Sequence, residues 1–168
     1  MNRWVWLSMA LAAVLRLNAA TGLQMDADEP VYLQSAGHYA AALRAGDVDL
    51  LMQQPHNPEH PALMKLVHGV VLLPLGEDAD VVSRLAAVRA VEGLGGIALA
   101  GLMATVHPVA GLVVASHALT IKYTSQGYLD AWPMVFMFLG LLCWREVHRS
   151  DARRWAVLLG LALGAAAA

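Results

Sequence analysis

Two long apolar runs, Trp4 to Leu23 and Leu85 to Val106, constrain this chain more than any other feature. Each is close to the length of about 20 residues that an α-helix needs to cross bilayer hydrocarbon. Shorter apolar stretches occupy most of the remainder. Of the 168 residues, 58% are hydrophobic and only 14% charged, whereas a soluble domain carries about a quarter charged residues. The sequence therefore reads as an all-α, polytopic transmembrane bundle. A single cysteine, Cys143, excludes a disulfide framework or a cysteine-rich zinc site. A formal net charge of −2 gives no reason to expect a nucleic-acid partner.

The pattern predicts about five spans, roughly residues 4–23, 85–106, 107–123, 130–144 and 155 onward, the last cut short. A cleaved signal peptide is the competing reading of the first. Arg16, near its outer end, is expected to snorkel or to face the protein interior. Residues 24–84 are the one extended polar region. Within it Val31 to Ala45 reads as an amphipathic helix stopped by Gly46, with Leu33, Ala36, Ala40 and Leu43 along one face. Residues 62–75 are too short to span and read as an interfacial or re-entrant helix. On the second span Arg89 and Glu92 stand three apart and are expected to pair. The series Gly93, Gly95, Gly96 and Gly101 reads as a helix-packing surface. His107 and His117 read as packed or turn residues.

Orientation follows from the basic loop between Arg145 and Arg154, since short cytoplasmic loops are enriched in Lys and Arg. With that loop inside, residues 24–84 and the turn 123–130 both lie outside. Tyr123, Tyr128 and Trp132 then mark one interfacial belt, Trp144 and Trp155 the other. Asp28, Glu29, Glu59 and Asp130 gather at the outer face. Asp28 directly follows a span, and Asp130 sits between apolar runs, so both are functional candidates. Asp26, Asp47, Asp49 and the acids of 77–80 read as ordinary solvated side chains.

Four short motifs resemble a known family. Asp28-Glu29-Pro30-Val31-Tyr32 is similar to the D-E-x-x-Y after the first span of GT-C-fold membrane glycosyltransferases, of the protein O-mannosyltransferase and lipid A aminoarabinose transferase type. Gly46-Asp47 resembles the "GD" that follows their juxtamembrane helix. His60-Pro61-Ala62-Leu63-Met64-Lys65 resembles H-P-P-L-x-K, and Glu59-His60-Pro61 resembles E-K-P. Tyr123 to Asp130 resembles their tyrosine-to-aspartate turn. Ala62, His60 and the lack of an arginine before Asp130 depart from those patterns; Lys122 is the nearest cation.

The resemblance implies a catalytic outer loop at 24–84 in an N-terminal piece of a longer enzyme. It implies an inverting transferase that moves mannose or a similar sugar from a polyprenyl-phosphate donor to a protein or glycolipid hydroxyl. The expected place is a plasma membrane of bacterial or archaeal type, with the site outside. Asp28 is the expected base, with Glu29, Glu59 and Asp130 as further catalytic acids. His60, Lys65, Tyr32 and Arg84 are the expected substrate-binding residues, with Arg89 an alternative cation. The resemblance names no definite cofactor, and a divalent metal near His56, Glu59 and His60 is an alternative. A non-catalytic scaffold or pseudoenzyme, or a transporter piece, is the competing function.

Overall fold

The computed structural model describes residues 2–53, 62–150 and 152–168, and among them only helices and turns occur. Helix α1 (Arg3–Gly22) leads to α2 (Glu29–Ala45) and the single turn α3 (Val48–Met52). Helix α4 (Ala62–Leu72) ends in a 3₁₀ turn at Leu73–Leu75. Then come α5 (Val81–Val106), α6 (Pro108–Ser116), α7 (Ala118–Tyr123), α8 (Ala131–Ser150) and α9 (Arg153–Ala167). Helices α1 and α5 are long and apolar enough to cross a membrane.

The helix ends follow local chemistry. Asn2, Asp47 and Asp80 accept backbone N–H bonds at the starts of α1, α3 and α5, which satisfies donors the helix leaves unpaired. Pro30 sits in the first turn of α2, where its missing N–H costs nothing. Gly46 ends α2 at φ 64°, a left-handed conformation that favours glycine. His107 and His117 are exposed N-caps of α6 and α7, so both are turn residues.

Helix α5 is the central element. It packs against α1, α4, α6 and α8, while α2 lies on α4, and α9 on α8. The glycine series explains the close approach. A Cβ on Gly95 would meet Ala131 at 2.9 Å, and one on Gly101 would meet Met9 at 2.8 Å. A Cβ on Gly96 would overlap Arg16 and Thr124. Leu33, Ala36, Ala40, Leu72 and Val88 form the core where α2 meets α4 and α5.

The expected third span is not one helix. It breaks at His117, and Arg16 fills the break. Its Nη1 and Nη2 donate to Ala115 O and Val114 O, both at 3.2 Å, and Nε donates to Thr124 Oγ1 at 2.7 Å. Arg16 is 1% exposed, so of its two expected placements it takes the interior one. A cation on the last carbonyls of α6 is favourable because that helix end is partially negative. The sequence reads 107–123 as one crossing from its length and mostly apolar composition; the break at His117 is filled by a cation contributed by α1.

Substituting Gly96 by valine should destabilise the fold by about 2 kcal/mol or more, because Arg16 and Thr124 must move. Gly160→Ala, where nothing lies within 4 Å of the new Cβ, should change little. Thermal unfolding in detergent checks both.

Candidate functional site

Glu29 begins α2 and is 1% exposed. Its Oε1 accepts from Arg89 Nε at 2.8 Å and from the Gly127 backbone N–H at 2.5 Å. Its Oε2 accepts from Arg89 Nη2 at 2.7 Å and from the Asp26 N–H at 2.9 Å. Arg89 also donates through Nη1 to Ala20 O and Leu23 O, and through Nη2 to Gln24 O. A guanidinium has five N–H donors and a carboxylate about four acceptor sites; both sets are used in full. This pair joins the end of α1, the start of α2, the third turn of α5 and the turn before α8. Burial opposes ionisation of Glu29, but Arg89 and the two backbone N–H groups outweigh it. Its carboxyl is held below the usual range.

Beside this clamp stand two further acids, Asp26 half-buried and Asp28 exposed. Asp26 accepts from the Tyr128 hydroxyl and lies 3.3 Å from Lys122 Nζ. The Tyr128 hydrogen bond first, and Lys122 second, hold its carboxyl below the ordinary value. Burial first, then Asp26, pushes the Tyr128 phenol up, and the Asp28 charge adds to this. The Asp28 backbone carbonyl accepts from Val31 and Tyr32 N–H at 3.0 and 3.2 Å. Its exposed carboxylate makes no hydrogen bond or ion pair among the described residues. The arrangement offers a solvated carboxylate on a backbone fixed by its neighbour.

The other expected residues divide. Tyr32 is buried, its ring centroid 6.0 Å from that of Tyr128, in a cluster with Met64 and Leu129. Lys65, beside Met64 on α4, is 2% exposed. Asp130 is exposed and immediately precedes α8, where its carbonyl accepts from Met134 N–H at 3.1 Å. Arg84 is not brought to this cluster. It lies against Gly37, on the face of α2 opposite Tyr32. Glu59, His60 and His56 lie outside the described residues, and with them the metal alternative. Among the described residues no three metal-ligating side chains converge.

Three further expectations change. Arg89 and Glu92 do not pair, because each points to a different neighbour. Arg89 binds Glu29, whereas Glu92 Oε1 lies 2.8 Å from His68 Nε2, with both side chains fully buried. Glu92 Oε2 accepts the Ala131 N–H at the start of α8, an orientation the helix dipole favours. Asp26 is not an ordinary solvated acid. Tyr128 is 7% exposed and belongs to the packed junction rather than to an interfacial belt. The sequence reading missed His68 and Glu92 as a pair. The signal was present, since ionisable residues inside apolar helices demand partners.

No family model matches the chain, and neither a characterised protein nor a solved structure is found similar to it.

Because the Glu29 carboxyl is lowered on folding, it contributes stability above its unfolded value of about 4.3. That contribution is lost as pH falls through the lower folded value. Glu29→Gln should lower the unfolding temperature at pH 7 and flatten its decline between about pH 5 and 3. Thermal unfolding across that pH range, in detergent, reads both effects.

Proposed function

We propose that this chain is the catalytic part of a GT-C-type membrane glycosyltransferase, with Asp28 as general base. In this reading five helical segments cross the membrane, α6 and α7 together forming the third. Residues 24–84 and the turn 123–130 then face outside. The reading is carried by one observation: the two resembling motifs around residues 28–32 and 123–130 meet at one end of the bundle. Glu29 Oε1 bonds Gly127, ninety-eight residues away, and Tyr32 packs on Tyr128.

The chemistry follows from the residues. An acceptor hydroxyl attacks the anomeric carbon as the bond from that carbon to the phosphate oxygen breaks. The electron pair leaves with the lipid phosphate, and the hydroxyl proton passes to the Asp28 carboxylate. A hydroxyl is too weakly acidic to react well without such a base. Asp28 is suited because it is solvated and held in place. Glu29 and Arg89 are saturated, so in this reading they position Asp28 and touch no substrate. Among the described residues Lys122, half-exposed beside Asp26, is the accessible cation at this end for the leaving phosphate, whereas Lys65 is buried. Asp130 lies two residues beyond Tyr128 and would orient the acceptor.

A place for the lipid is also available. An apolar groove of ≈ 380 Å³ runs between α1 and α5, lined by Ala13, Leu17, Leu94 and Ile97. It reaches Ala20 and Arg89 of the clamp.

Asp28→Asn should reduce sugar transfer from a polyprenyl-phosphate donor by at least about 10²-fold, with the unfolding temperature unchanged. Asp130→Asn should raise the acceptor KM more than it lowers kcat. Transfer assays with the purified chain, or with a longer form of the protein, test this. Full activity of Asp28→Asn would contradict the base assignment.

A further inference from the structure

A second concavity lies on the other side of α2, independent of the glycosyltransferase reading. It is an open groove of ≈ 520 Å³ between α2, the 3₁₀ turn and the start of α5. Leu33, Ala41 and Leu72 give it apolar walls, while Arg44, Arg84 and Glu77 bring charge to it. Arg44 is committed: its Nη2 donates to Leu72 O at 3.0 Å and Leu73 O at 3.4 Å. Arg84 is not. The residue is half-buried, and its guanidinium makes no hydrogen bond or ion pair among the described residues. Glu77 is exposed and forms no ion pair with it.

The placement of Arg84 depends on Gly37. A Cβ there would stand 2.5 Å from Arg84 Nη2, so only glycine lets the guanidinium lie against the helix. A guanidinium drawn partly out of water gains from a charged acceptor. An oxyanion suits it, because the planar fork matches phosphate geometry. The surroundings specify an amphiphile. Val81 lines the groove and is exposed, and Val31, Leu75 and Val82, each next in sequence to a lining residue, are exposed too; Val81 begins a helix long enough to span. Arg84 is therefore one turn inside that helix, at the depth where headgroups meet hydrocarbon.

We propose that this groove binds the anionic headgroup of a membrane phospholipid, with Arg84 as the principal contact to its phosphate. The acyl chains then lie along the apolar residues at the start of α5.

Native mass spectrometry of the detergent-solubilised chain tests this with phosphatidylglycerol and phosphatidylcholine as probes. The wild-type chain should retain phosphatidylglycerol in preference to phosphatidylcholine, a comparison that needs no variant. Arg84→Gln should weaken phosphatidylglycerol binding by about tenfold and leave phosphatidylcholine binding unaltered. Arg84→Lys should keep part of the preference. Inorganic phosphate at millimolar concentration should not displace the lipid. Equal retention of the two lipids by the wild-type chain would overturn the proposal, as would an undiminished preference in Arg84→Gln. Displacement by inorganic phosphate would make this a site for a free oxyanion instead. Loss of transfer activity has no bearing on these outcomes, so the two proposals fail separately.

Discussion

The buried ion pair between Glu29 and Arg89 is the interaction on which the rest of this structure depends. It gathers four parts of the chain that are distant in sequence: the end of α1, the start of α2, the body of α5 and the turn ahead of α8. Removing charges from water is costly, and a buried pair is favourable only when its geometry is good and its remaining valences are met. Here every donor of Arg89 and every acceptor position of Glu29 is occupied. The saturation fixes the backbone, and Asp28, the adjacent residue, inherits a defined position while its own carboxylate stays in solvent.

The same logic recurs deeper in the bundle. Arg16 closes the break between α6 and α7 by donating to carbonyls that α6 cannot satisfy itself. Glu92 holds His68 on one side and the first N–H of α8 on the other. Arg89, Arg16 and Glu92 each join two or more elements at a point where helix-end backbone groups lack partners. Small residues make room for them. Gly96 clears space for Arg16, and Gly37 does the same for Arg84.

Much of the architecture was legible in the sequence. The two span-length helices, the amphipathic α2 and its stop at Gly46 follow from hydrophobic period and glycine conformation. So does the short α4, too short to cross. Pairing between helices was not legible. Arg89 and Glu92 stand three apart on one helix, and local spacing suggests they meet. Their true partners, Glu29 and His68, are set by how α2 and α4 pack on α5, which no local pattern encodes. The break at His117 was missed for the same reason, since its stabilising cation comes from α1. For the candidate site, the motif residues near 28–32 and 123–130 were found and do converge. Arg84 was grouped with them on membrane depth alone, and the structure places it behind α2. The role of Asp26 was overlooked because a loop acid near a span looks solvated until Tyr128 is brought to it.

The central claim is that one saturated ion pair ties these segments together and so presents Asp28. A double-mutant cycle on Glu29→Gln and Arg89→Met, read by unfolding in detergent, tests it most directly. Each single change should cost about 3–5 kcal/mol by leaving a buried partner unmatched, and the double change should cost far less than their sum. Strictly additive losses would contradict the account, since two residues that do not depend on each other cannot form the junction described.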